Sequence, residues 1–315
     1  MDMTRVAAID CGTNSIRLLI ADAGAGRLRD VHREMRIVRL GQGVDATGRF
    51  APDALERTRV ALVDYAAVCA ANDVDRIRMV ATSAARDAAN RDVFFAMTAD
   101  VLGSVVDGSV AEVITGAEEA ELSFRGAVSE LDPAAAPFVI VDLGGGSTEI
   151  VLGADAVAAS FSADIGCVRL TERCLHSDPP TAPEVSAARE VVRERLGEAL
   201  RVVPVEQART WVGVAGTMTT IAALAQDMTA YDSAAIHLSR VGMDRLLAVC
   251  DGLIGMSRAQ RAALGPMHEG RADVIAGGAI VIEELAFALR ERAGIDALTV
   301  SEHDILDGIA LSIAD

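Results

Sequence analysis

Two stretches of this chain, 132 residues apart, follow one pattern. The segment VAAIDCGTNSIRLLI, from Val6, overlays VIVDLGGGSTEIVL when Asp10 is placed on Asp142; Gly12 then falls on Gly144 and Ser15 on Ser147. Each copy reads as an apolar strand ending in an aspartate, a turn of glycine and hydroxyl residues, and a second apolar strand. Two unrelated glycine-rich hairpins are the alternative. At 315 residues the chain has room for two domains of about 150 residues each. One hairpin per half therefore predicts two similar domains facing each other across a cleft.

Between the hairpins, short apolar runs alternate with longer helical patterns, the mark of an α/β architecture. RVAAID, SIRLLIAD, Ile77 to Ala81 and Ala111 to Ile114 read as strands; Pro52 to Cys69 carries Leu55, Leu62, Tyr65 and Val68 at helical spacing. Helices are expected to open at Ser83, at Thr115, and at Thr181, where Glu184 completes a capping box.

Composition limits the function classes. Half of the residues (51%) are apolar, so a large core can be buried. The formal net charge of −17 argues against nucleic-acid or anionic-membrane partners. All 29 basic residues are arginine, which excludes Schiff-base chemistry and a P-loop lysine. The five cysteines (Cys11, Cys69, Cys167, Cys174, Cys250) have neither disulfide-framework nor zinc-knuckle spacing. The longest apolar stretch, Val274 to Leu289, contains Glu283 and Glu284 and has the length of a buried helix. These features predict a reduced, cytoplasmic protein that does not enter a membrane.

The two turns carry the chemistry. Gly12, Thr13, Asn14 and Ser15 in the first half, and Gly144, Gly145, Gly146, Ser147 and Thr148 in the second, offer backbone N–H groups and hydroxyls of the kind phosphate oxygens accept. Asp10 and Asp142 end their strands at these turns and, with Glu149, form an oxygen-donor set suited to Mg²⁺. The competing reading is that each aspartate only caps its own turn. A third element, WVGVAGTMTTIAAL, places Gly216 and Thr217 at a helix N-terminus, where free N–H groups favour an anion; an ordinary strand-to-helix turn reads the same way.

In VITGAEEAELSFRGA, Thr115 and Glu118 form a capping pair, and Glu121 and Arg125, four apart, form an ion pair. Glu119 then shares a face with Leu122 and Gly126 without an evident partner, as a general base with a raised pKa would; ordinary first-turn dipole chemistry is the alternative. Arg86, three residues after Ser83, opposes its helix dipole and so points to a bound anion, or else lies on the surface without a role.

Together IDCGTNSIRLLI, ATSAARDAAN, ITGAEEAELSFRGA, IVDLGGGSTEI, GVAGTMTTIAAL, GRADVIAGGAIVI and SEHDILDGIAL resemble the exopolyphosphatase and guanosine pentaphosphate phosphohydrolase family, within the acetate kinase, sugar kinase, Hsp70 and actin superfamily. The resemblance implies two actin-like domains, residues 1–124 and 125–301, with a C-terminal helix at about 302–315 folding back onto the first. It implies release of terminal orthophosphate from inorganic polyphosphate with Mg²⁺ or Mn²⁺. Glu119 falls on the catalytic glutamate, Arg86 on the phosphate-contacting arginine, and Asp142 and Glu149 on the metal-associated acids. Long family members add a C-terminal helical region; this chain stops soon after Ile313, which predicts a preference for short polyphosphate chains. Cys11 departs from the family pattern and leaves a thiol near the phosphates.

The resemblance also implies a homodimer. Its sister activity acts on guanosine pentaphosphate; a non-catalytic sensor of guanosine tetraphosphate or nucleotide, and a kinase, are further readings. Arg169, Arg173, Arg240, Arg258, Arg261 and Arg271 are candidates for a polyphosphate track. Of the histidines (His32, His176, His237, His268, His303), only His303 stands beside an aspartate, Asp304, and that pair reads as surface helix rather than a metal site.

Overall fold

The computed structural model describes residues 4–24 and 27–314. The chain divides into two compact units. Unit 1 runs through Gly126 and resumes at Ile305; unit 2 is the intervening Ala127–Asp304.

Unit 1 is built on strands β1 (Thr4–Cys11), β2 (Ser15–Gly24), β3 (Arg27–Ile37), β4 (Arg76–Ala81) and β5 (Ala111–Val113), in the order β3-β2-β1-β4-β5. Unit 2 uses β6 (Phe138–Leu143), β7 (Thr148–Gly153), β8 (Val157–Ala163), β9 (Thr210–Val214), β10 (Arg240–Gly242) and β11 (Ala297–Val300), in the order β10-β11-β9-β6-β7-β8. The two sheets repeat one design. An antiparallel meander, β1-β2-β3 or β6-β7-β8, is followed by a strand parallel to its first member, β4 beside β1 and β9 beside β6. A second parallel strand then extends each sheet, β5 beside β4 and β11 beside β9. The duplication thus holds for the topology of both sheets, and the mixed α/β reading is correct.

Alternation along the strands sets two faces in unit 1. Ala7, Ile9, Cys11, Ile16 and Leu18 join Leu62, Tyr65, Phe94 and Leu102 in one core, where the helices Pro52–Ala71 and Arg91–Leu102 pack. Val6, Ala8, Leu19, Ala21 and Val80 join Leu122 with Ile305, Leu306, Ile309 and Ala310 in a second core, on the opposite face. The helix Ile305–Ser312 is therefore part of unit 1 although it follows all of unit 2 in sequence. Arg33 Nη2 bonds Asp307 at 2.5 Å, Arg125 Nη2 donates to the Leu311 carbonyl at 3.2 Å, and Arg78 Nη1 to Ser312 Oγ at 2.7 Å. A Cβ on Gly308 would lie 2.0 Å from the Leu122 carbonyl oxygen, so only glycine allows this approach.

These anchors correct two local expectations. Arg125 serves the Leu311 carbonyl rather than Glu121. Glu118 takes only half of a capping box: its amide donates to Thr115 Oγ1 at 3.2 Å, while its carboxylate bonds Arg78 Nη2 at 2.7 Å. The box at Thr181 does form. Glu184 accepts from the Thr181 amide (2.7 Å) and hydroxyl (2.8 Å), and from the amides of His176 and Ser177 (both 3.0 Å).

Those donors, the Thr181 amide foremost, hold Glu184 down to about 2, against an ordinary value of 4.5. Because the folded value is the lower one, the stabilisation is fully present above pH 4.5 and is lost as the pH falls toward 2. Glu184→Gln is expected to flatten that part of the acid-unfolding curve. A variant whose thermal midpoint falls as steeply as the parent's over this range refutes the assignment.

In unit 2 the apolar stretch forms the helix Ile275–Ala293, with Glu283 and Glu284 bonded to Arg189 and Arg193 of the helix Ala182–Val202 at 2.6–2.9 Å. Among the described residues no helix is long and apolar enough to cross a membrane.

Candidate active site

The carboxyl ends of parallel strands are where α/β sheets present their loops to ligands. In unit 1, Cys11 lies beside Ala81 and Ala81 beside Val113, so β1, β4 and β5 end together. From those ends leave the turn Gly12–Asn14, the helix Ser83–Asp87 that carries Arg86, and the helix Gly116–Val128 that carries Glu119.

The turn closes through Gly12 N–H to the Ser15 carbonyl at 2.9 Å. Its outward carbonyls are taken by the segment after β3: Val38 and Arg39 donate to Asn14, and Gly41 to Thr13 at 2.8 Å. A Cβ on Gly41 would meet Thr13 Cγ2 at 2.3 Å, so Thr13 is clamped against that segment.

Glu119 is 7% exposed, and its Oε2 bonds Arg86 Nη1 at 2.6 Å. Arg86 Nη1 also donates to the Ile114 carbonyl at 3.2 Å, tying the pair to the end of β5. The inward face expected for Glu119 is present, but the lack of a partner is not, because Arg86 supplies one. Arg86 lies in the last turn of a five-residue helix whose N-cap is Thr82, not Ser83. The argument from a charge opposing the dipole therefore fails, and the ion pair accounts for its position. Cys11 faces the core at 1% exposure, and burial pushes its thiol up, so no reactive thiol stands at the turn.

Unit 2 repeats the arrangement. Asp142 lies beside Val214 and Gly213 beside Val300, aligning the ends of β6, β9 and β11. Gly144 N–H donates to the Ser147 carbonyl at 3.0 Å, the counterpart of the Gly12 bond. The helix Cys167–Cys174 grips this loop: Cys167 N–H donates to the Gly144 carbonyl, and Val168 and Arg169 to that of Gly145, at 2.9–3.0 Å. A Cβ on Gly166 would sit 2.4 Å from the Gly145 carbonyl group, which explains the glycine there. Thr148 is withdrawn from the expected phosphate set, being fully buried with its hydroxyl on the Ile165 carbonyl.

The overlaid hairpins differ at one informative position. Asp10 faces Arg17 across β1 and β2, whereas Asp142 faces Glu149 across β6 and β7. Arg17 bonds Asp10 Oδ2 through Nε (3.0 Å) and Nη2 (2.6 Å), so an adjacent cation matches the Asp10 charge. Asp142 and Glu149 are instead two nearly buried carboxylates in register, at 6% and 1% exposure, with Ser162 Oγ donating to Glu149 Oε1 at 2.7 Å. Two carboxylates side by side form an oxygen-donor pair of the kind Mg²⁺ takes. The pair Asp142 and Glu149 fits Mg²⁺; Asp10 is the weakest of the three expected ligands. Arg17 could have been found from the sequence, since the overlay itself places it on Glu149.

The third loop begins with strain. Ala215 has φ +71° just before Gly216, a backbone conformation that costs about 1–3 kcal/mol and clusters at functional sites. A Cβ on Gly216 would lie 2.1 Å from Arg271, whose guanidinium packs over the first turn of the helix Ala215–Ala225 and donates to Thr220 Oγ1 at 3.2 Å. The Arg271 side chain thus explains why position 216 is a glycine. Arg271 was legible only as one of several arginines. Thr217 is nearly buried and hydrogen-bonds the Cys167 thiol.

The description of the Ppx/GppA phosphatase family matches residues 19–313 of this chain. The chain belongs to that family. Exopolyphosphatase 2 of Mycobacterium tuberculosis is 77% identical over the full length of both chains. Among solved structures, an exopolyphosphatase-like protein superimposes with a TM-score of 0.93 at 44% identity, covering 99% of each chain. The Aquifex aeolicus PPX-GPPA enzyme gives 0.79 at 32% identity, covering 98% of this chain and 99% of its own. Ppx/GppA membership agrees with the duplicated actin-like architecture described above.

Proposed function

We propose that this protein is an exopolyphosphatase that removes the terminal orthophosphate of inorganic polyphosphate by attack of water on phosphorus. The observation that carries this reading is the nearly buried Glu119 carboxylate held by Arg86 at the carboxyl ends of the strands from which the Gly12–Ser15 turn also departs. Arg86 fixes the position of that carboxylate, which can accept a proton as a general base does. Glu119 takes the proton of the attacking water as its oxygen bonds to phosphorus, and the bond from phosphorus to the bridging oxygen breaks in line. Orthophosphate and a chain one unit shorter leave.

Arg86 positions Glu119 and adds positive charge beside the reacting group. The turn Gly12–Ser15, the loop Gly144–Ser147 and the helix start at Gly216 and Thr217 offer N–H donors to phosphate oxygens. Asp142 and Glu149 would hold Mg²⁺ or Mn²⁺, which when bound neutralises phosphate charge.

The test is orthophosphate release from polyphosphates of defined length and from guanosine pentaphosphate, with Mg²⁺ and with EDTA. Release from polyphosphate without any acceptor, abolished by EDTA, is the expected result. Turnover of guanosine pentaphosphate alone would reassign the substrate; nucleotide binding without turnover of either would replace the enzyme with a sensor; transfer only to an acceptor would make it a kinase.

A further inference from the structure

Outside this machinery, three potential metal ligands from separate stretches of unit 2 meet. Glu130 follows the helix Gly116–Val128, His237 ends the short helix Ser233–Ile236, and His303 lies between β11 and the helix Ile305–Ser312. His237 Nε2 is 2.7 Å from Glu130 Oε2, and His303 Nδ1 is 3.6 Å from the same oxygen. The two imidazole rings lie 4.6 Å apart between centroids. One ligand atom from each residue lies within 4.8 Å of the others. Reciprocal bonds with Ser301 fix the His303 backbone: its amide donates to Ser301 Oγ at 3.0 Å, and that hydroxyl donates back to its carbonyl at 2.8 Å. His303 and Asp304 thus precede the last helix rather than lying on its surface, and Asp304 is buried.

We propose that Glu130, His237 and His303 form a binding site for a first-row transition-metal dication, with Zn²⁺ the best match. Two imidazoles and one carboxylate suit Zn²⁺ or Co²⁺ far better than Mg²⁺, which prefers oxygen donors alone. In a tetrahedral Zn²⁺ site, bonds of about 2.0–2.1 Å place ligand atoms about 3.3 Å apart; the present separations of 2.7 and 3.6 Å fall on either side of that spacing. Glu130 is about half exposed (53%), so solvent has access to supply a fourth ligand.

Binding also has a proton requirement that gives it a signature. His237 Nδ1 accepts from the Glu302 amide at 3.1 Å, so Nε2 carries the proton and donates it to Glu130. A metal on Nε2 displaces that proton to Nδ1, through solvent, and the Glu302 amide bond must give way. Glu302 also accepts from Tyr231 Oη at 2.6 Å, and Tyr231 Oη contacts Thr219 Oγ1 at 2.8 Å. The metal would therefore be felt along a polar chain that reaches the helix Ala215–Ala225.

The decisive measurement is titration of the full chain with CoCl₂ and ZnCl₂ in saturating Mg²⁺. The expected result is one Co²⁺ per chain with the visible absorption of a tetrahedral nitrogen and oxygen site, displaced by Zn²⁺, together with a shifted Glu302 amide resonance. His237→Gln and His303→Gln should each weaken binding at least tenfold while Mg²⁺-supported activity in buffer free of transition metals stays unchanged. Glu130→Gln, at an exposed position, serves as the second variant, with the thermal midpoint recorded for all three. Co²⁺ binding that survives Glu130→Gln and His303→Gln, absorption typical of octahedral or thiolate coordination, or an unmoved Glu302 amide would each overturn the site.

Discussion

Glu119→Gln is expected to lower the rate of orthophosphate release from polyphosphate by about 10²–10⁴, the range a general base contributes, while polyphosphate binding persists. The substitution leaves a side-chain oxygen that can still accept from Arg86 Nη1, so the segment between the end of β5 and the helix Gly116–Val128 should hold its place. What disappears is the capacity to take a proton. The acidic limb of the kcat/KM profile should vanish with it, since that limb reports the base of the free enzyme. Arg86→Ala offers the contrast: Glu119 survives but loses its anchor, so the limb should move rather than vanish. A Glu119→Gln protein that keeps more than about a tenth of the parent rate would remove this carboxylate from the chemistry.

The second large effect is expected at Glu149. Glu149→Gln should lower turnover by about 10²-fold or more, equivalent to the several kcal/mol a metal contributes to charge stabilisation, and should raise the Mg²⁺ concentration needed for half-maximal rate. The fold should not suffer. The amide keeps an acceptor for Ser162, and the backbone register with Asp142 is unaffected. Asp10→Asn should behave in the opposite way. It breaks a charged hydrogen-bonded pair with Arg17, with a stability loss of about 1.5–3 kcal/mol, and should leave the Mg²⁺ requirement where it was. If Asp10→Asn shifts the metal requirement and Glu149→Gln does not, the ligand assignment is reversed.

How much of this could be read from residues alone depended on range. The hairpins, the alternation that sorts Val6 and Ala8 from Ala7 and Ile9, and the capping box at Thr181 are local, and local rules found them. Helical neighbours contribute only about 0.2–0.5 kcal/mol, so tertiary partners take the Arg125 guanidinium and the Glu118 carboxylate, while the Glu118 amide keeps its bond to Thr115: the Leu311 carbonyl lies 186 residues from Arg125, and Arg78 lies 40 from Glu118. The Glu119–Arg86 contact spans 33 residues and joins the ends of neighbouring parallel strands; its helix pattern showed an inward face but not what waited there. The Glu130, His237 and His303 group is more remote still, since each member stands alone in its own segment and no spacing rule links them.

The placement of the helix Ile305–Ser312 bears on how the molecule comes off the ribosome. Nascent domains ordinarily fold in order of emergence. Here one face of the first sheet, with Val6, Ala8, Leu19 and Ala21, waits for Ile305, Ile309 and Ala310, which are translated only after all of the second unit. The second unit is continuous and can finish first, so the first unit is a late folder whose unfinished apolar face needs shielding until the helix Ile305–Ser312 has emerged.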